Sequence, residues 1–158
     1  MALAAGNLYG GPFRACLNDT ARLSQETRTA LKAEFRRLLP EVEFLAACGS
    51  QPLTTAKITF LETGRAGPRV LGSTYRTEGT VLPVIEVYVG AVLGALNGRA
   101  HARLLGIALA RVAAHEAVHF FEQKMDHEES GILRSAFSGM ELAAGDASLF
   151  AWRGRGTD

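Results

Sequence analysis

Apolar positions change period along the chain, and each change predicts an element. Phe13–Leu17 reads as a short strand stopped by Asn18-Asp19. Ser24 is placed to cap a helix in which Leu31, Phe35, Leu38 and Leu39 recur at helical spacing until Pro40 closes it. Val42–Ala46 and Ala56–Leu61 read as strands, bounded by turns at Cys48–Pro52 and Gly64–Pro68. Leu82–Val89 is a β-branched run, and Pro83 at its start favours the edge of a sheet. Asn97-Gly98 then introduces a long helix from Arg99 to about Lys124. After a loop rich in Asp, Glu and Ser, Ser138 and Glu141 form a capping box. Leu142 with Leu149, and Ala143 with Phe150, give the last helix an apolar face. The order predicts a single α+β domain with helices against one mixed sheet.

Composition narrows the function classes. The 158 residues are 47% hydrophobic, enough for one real core, and 17 basic against 16 acidic residues leave a net charge of +1. No global field favours nucleic acid or an anionic membrane. The most apolar runs, Val81–Leu96 and Leu104–Val118, are interrupted by charge or proline, so no membrane span is expected. Met1–Gly11 lacks the basic start of a signal peptide; residues 1–11 and 153–158 are expected to be flexible ends, and the compartment is left open. Cys16 and Cys48 are too few for a disulfide scaffold or a cysteine-rich zinc site. Two buried thiols are expected, with a single bridge as the alternative for an exported protein.

The chemistry is concentrated in the long helix, at His115-Glu116-Ala117-Val118-His119. Histidines four apart leave one helix face a turn apart, so both can reach one ion at about 2.0–2.1 Å. Glu116 stands a quarter-turn round, where it can take a proton from an attacking water. The pattern is rare by chance, and its place within a helix strengthens it. A catalytic zinc normally has a third protein ligand. His101 lies about 21 Å back along the helix axis and is expected at the surface. His127 would also be out of reach on a continuing helix, so the chain must turn back near Lys124–Asp126 to bring it in as the third ligand. Asp126, Glu128 and Glu129 read as a solvated acidic loop.

His115-Glu116-x-x-His119, a third histidine, and then Ser130-Gly131-Ile132-Leu133 resemble the metzincin zinc peptidases, whose pattern is H-E-x-x-H-x-x-G-x-x-H followed by a turn bearing a methionine. The match is nearest to short bacterial metzincin-like proteins in which the third histidine comes two residues late. Glu122 replaces the glycine that ends the helix, and Leu133, of similar volume, replaces the methionine. The resemblance implies a compact zincin-like catalytic domain, a mixed twisted sheet on a long active-site helix. It implies one zinc per chain held by His115, His119 and His127, with Glu116 as general base of a metalloendopeptidase-like hydrolase. Its substrate would be an extended peptide added to an edge strand, for which Leu82–Val89 is the candidate. A second electrophile, Tyr75 or Tyr88, is not placed by sequence.

Three other readings stay open, the simplest being an α+β domain with no metal at all, in which the H-E-x-x-H is accidental. In a gluzincin-like site Glu141 would be the third ligand, with Asp146 beyond it, although Glu141 already has a role in the capping box. In a non-catalytic zinc-binding module the fold would persist without hydrolysis. The retained Glu116 favours the enzyme, because metal binding alone needs no base.

Overall fold

A computed structural model describes residues 13–50, 53–64 and 69–152; the ends expected to be flexible and the Gly64–Pro68 turn beyond Gly64 lie outside the described residues. The domain is α+β. Strands β1 (Arg14–Asp19), β2 (Glu43–Phe44), β3 (Thr55–Leu61), β4 (Gly72–Thr77) and β5 (Thr80–Tyr88) form one sheet in the order β2-β1-β3-β5-β4. All neighbours are parallel except β4, which runs antiparallel to β5 at the edge. Among the described residues four α-helices accompany the sheet: α1 (Gln25–Leu38), α2 (Val89–Ala95), α3 (Ala102–Glu122) and α4 (Gly139–Ala143).

Alternation along the strands assigns the faces. Ala56, Ile58 and Phe60 of β3 and Ile85 and Val87 of β5 are buried on one face, with Leu31 and Phe35 of α1 and Ala113, Ala117 and Val118 of α3 in the same core. Ser24 caps α1 by accepting from the Thr27 amide at 3.1 Å, as its position predicts. Helix α3 is long and apolar enough, by length and composition, to cross a membrane. Most of it is buried inside this domain, which is how a core helix passes the same test. Its one internal cation, Arg111, is fully buried and paired with Glu34 of α1 at 2.9 Å. Arg111 also donates to the main-chain oxygens of Glu141 and Leu142 at 3.0 Å each, tying α4 to α3.

Four expectations are corrected. Leu82–Val89 is no edge: β5 lies between β3 and β4, and β4 takes the edge. Pro83 is tolerated inside the sheet because the β4–β5 register shifts between Arg76↔Val81 and Thr74↔Ile85, so its missing N–H falls where the ladder is interrupted. Strand β4 and helix α2 escape the sequence pattern altogether. The final helix breaks after Ala143, and Ser148–Phe150 form only a 3-10 turn, leaving Leu149 partly exposed. Cys16 and Cys48 are not free thiols but a disulfide that joins β1 to the loop after β2.

Closing a loop across 32 positions removes chain entropy worth about 3–4 kcal/mol from the unfolded state. Replacing both cysteines by serine is therefore expected to lower the melting temperature by roughly 7–15 °C in calorimetry. Two titratable thiols in the unreduced, denatured wild type would contradict the bridge.

Candidate metal centre

The last turns of α3 carry the site. His115 and His119 share one face, with ring centroids 4.7 Å apart. Each ring is fixed from behind by a main-chain carbonyl: Ile132 O lies 2.6 Å from His115 Nδ1, and Lys124 O lies 2.7 Å from His119 Nδ1. A carbonyl oxygen only accepts, so both Nδ1 atoms carry the proton. Burial, reinforced by the neighbouring imidazoles, pushes both rings below the ordinary value of 6.5, which keeps them neutral at pH 7. The two Nε2 atoms then present lone pairs to each other across only 3.1 Å. Two such acceptors repel unless a cation lies between them. Ligands at about 2.05 Å in a tetrahedral arrangement would stand about 3.3 Å apart, so the pair fits a shared zinc.

His127 completes the set. One ligand atom from each of His115, His119 and His127 falls within 4.8 Å of the others. The His127 ring stacks on His115 at 5.4 Å and meets His119 edge-on at 5.1 Å. The path that brings it there begins at Gln123, which ends α3 in the left-handed conformation at φ 53°. A non-glycine residue pays for that geometry with side-chain bonds. Gln123 Oε1 accepts from Val81 N at 3.0 Å, and Nε2 donates to Val81 O and Phe120 O at 3.0 and 2.9 Å. The helix thus stops at Glu122 without a glycine at its end. Beyond His127, the Glu128 amide donates to Leu133 O at 2.9 Å. The segment that backs His115 through Ile132 O therefore also anchors the residue beside His127. Ile132 and Leu133 are themselves buried, and Gly131 turns into them at φ 81°.

Glu116 points into the same cleft, about 410 Å³ in volume, between residues 69–74 and 134–137. Burial raises its carboxyl above the ordinary range; a hydrogen bond from Thr74, 2.6 Å from Oε2, works in the opposite direction. Gly72 and Thr74 of β4 are among the site-lining residues that sequence reasoning missed. The signal was Glu78-Gly79, a two-residue turn with φ 48° and 83° between runs containing Thr, Tyr and Val, which marks a hairpin.

The remaining candidates sit elsewhere. Glu141 is not in the cluster: its carboxylate pairs with Arg134 and accepts from the Ser138 amide at 2.7 Å, so the capping box is its structural role. Asp146 is held by Ser148, through its amide and hydroxyl, at 2.8 and 2.7 Å. His101 is exposed and caps α3, its Nδ1 accepting from Leu104 N at 3.3 Å. Asp126, Glu128 and Glu129 are exposed. Tyr75 and Tyr88 donate to Glu86 Oε2 at 2.7 and 2.8 Å, and neither lines the cleft. In comparisons with known proteins, no family model, curated protein or solved structure matches this chain.

The lowered imidazoles set a pH dependence for the metal-free protein. Below 6.5 the unfolded chain takes up protons that folded His115 and His119 still refuse, so stability falls as pH drops from that value towards their folded pKa values. Glu116 acts with the opposite sign, and Glu116→Gln removes it. In that variant the urea midpoint is expected to be higher at pH 7 than at pH 5.5; equal midpoints would contradict neutral, buried rings.

Proposed function

We propose that this protein is a zinc-dependent peptidase of metzincin-like design, with His115, His119 and His127 as ligands and Glu116 as general base. The observation that carries this reading is the facing pair of Nε2 atoms, 3.1 Å apart, with both Nδ1 protons committed to carbonyls. Such an arrangement is costly without a cation and natural with one. A zinc ion supplies Lewis-acid polarisation of a scissile carbonyl and acidifies a water. The chain's own residues do the rest. Glu116 accepts a proton from the attacking water at its carboxylate and delivers it to the leaving amine. The carbonyls of Ile132 and Lys124 hold the ligand rings in one tautomer.

The substrate strand is assigned to β4 rather than to Leu82–Val89. Strand β4 is the antiparallel edge, its inner face lies against Glu116, and residues leading into it line the cleft. An edge strand offers unpaired main-chain groups to an extended peptide. The short-metzincin resemblance is supported by this edge strand above the helix that bears the histidines, and by the turn-back at Gln123 that lets a late third histidine return.

Elemental analysis after dialysis against metal-free buffer is expected to give one zinc per chain. His127→Ala should weaken zinc binding by at least about tenfold. Glu116→Ala should keep zinc while peptide hydrolysis falls by about 10²–10⁴-fold. A protein that takes up no zinc overturns the reading. Full zinc with no hydrolysis of a broad peptide library would instead assign a non-catalytic zinc-binding module.

A further inference from the structure

Gly72 and Thr74 occupy the inner face of β4, paired with Val87 and Ile85 of β5. Both positions serve Glu116. A Cβ on Gly72 would come within 3.1 Å of Glu116 Cγ and 2.9 Å of Val112 Cγ1, so only glycine lets the strand lie this close to α3. One pleat further on, the Thr74 hydroxyl lies 2.6 Å from Glu116 Oε2 and 3.0 Å from the Glu116 main-chain oxygen. These two inward positions are where an ordinary strand would place core side chains. Here one makes room for the Glu116 stem and the other grips its head.

We propose that Thr74 is the positioning residue of the general base, its hydroxyl fixing the direction of the Glu116 carboxylate from the strand that also forms the cleft wall. The inference rests on Glu116 acting as base in the proposed peptidase. A hydroxyl suits the task because it donates one proton and also accepts. Towards the ionised carboxylate, Thr74 donates to Oε2. When the other oxygen, Oε1, carries the proton taken from water, Thr74 still donates to Oε2, so the proton stays free for the leaving amine while the threonine hydroxyl remains beside the Glu116 main-chain oxygen 3.0 Å away. The carboxyl keeps one direction through both states, and no group is oxidised, reduced or transferred in the exchange. Valine has the same shape without the hydroxyl, and serine keeps the hydroxyl without the methyl.

The test uses zinc-loaded wild type, Thr74→Val and Thr74→Ser, assayed on a peptide that the wild type cleaves. Thr74→Val is expected to lower kcat by about 10–100-fold with KM within about twofold, because a misdirected base weakens the transition state rather than substrate binding. Thr74→Ser should return kcat to within about threefold of wild type. On the Glu116→Ala background, Thr74→Val should change residual activity by less than about twofold, since the two act as one unit. A second readout avoids turnover. A peptide hydroxamate, which shares its proton with the base, should bind Thr74→Val about tenfold more weakly, with zinc affinity unchanged. Wild-type kcat and hydroxamate affinity in Thr74→Val, or a Thr74→Ser variant as impaired as Thr74→Val, would overturn the proposal while leaving the peptidase reading intact. A wild type that cleaves no peptide, and binds hydroxamate equally well after Glu116→Ala, would overturn both.

Discussion

Two main-chain carbonyls impose the constraint on which this structure turns. Ile132 O and Lys124 O each take the Nδ1 proton of a helix histidine, and each comes from a segment that follows the helix. The facing Nε2 lone pairs of α3 are therefore set only once residues 124 and 132 have folded back against it. This makes the loop after α3 part of the site rather than a connection. It also explains why the loop carries so much backbone order for an irregular segment: Lys124 N donates to His119 O, Glu128 N to Leu133 O, and Ile132 N to Ala151 O. The last of these reaches the C-terminal segment, so the backing of His115 is braced from outside the loop as well.

A second frame holds the opposite wall of the cleft. Buried Arg111 sits one turn before His115 and places its guanidinium 4.7 Å above the Phe150 ring. Phe150 stacks on Phe137 at 4.5 Å, and Phe137 meets the His115 ring edge-on at 6.0 Å. The Arg134 guanidinium lies 4.8 Å from the Phe137 ring centre while pairing with Glu141. A buried guanidinium must be satisfied to be tolerated, and Arg111 meets this with Glu34 and two carbonyls at the end of α4. Removing Glu34 would strand a charge in the core beside the site, so α1, far from the chemistry, shares in shaping it.

How much of this could be read from sequence follows the range of each interaction. The histidine pair and Glu116 were legible because their geometry is local to one helix. The return of His127 was legible only as a requirement; its means, a glutamine in left-handed conformation anchored to Val81, depends on a strand 42 positions earlier in the chain. Strand β4 was missed for a chemical reason. Its run Gly-Ser-Thr-Tyr-Arg-Thr has no apolar inward positions, because the inward residues Gly72 and Thr74 face a carboxylate rather than the core. Once β4 is unseen, Pro83 makes β5 look like the edge. The disulfide was undecidable for a related reason: Cys16 and Cys48 meet only when β2 has paired with β1. The capping box gave α4 its start correctly, but periodicity alone carried the helix past Ala143, where the chain adopts extended backbone at Ala144.

The same pattern separates the two ends of the sheet. Strands β1, β3 and β5 are parallel and supply the apolar layer under α1 and α3, and their inward residues are chosen for burial. Strand β4 adds little apolar burial, and its position is kept by the hairpin turn, the β5 ladder and its grip on Glu116. Unpaired edge groups and a buried carboxyl coincide at β4, which is also where the proposed extended peptide would pair. Burial of Glu116 raises its carboxyl and disfavours the charged form, whereas a cation held by the three histidines would favour it. In the proposed zinc site the facing lone pairs and the buried acid would both be relieved by the same positive charge. Under the proposed zinc reading, metal binding here would be coupled to the order of β4 and of the returning loop, since β4 holds Glu116 and the loop holds the histidine rings.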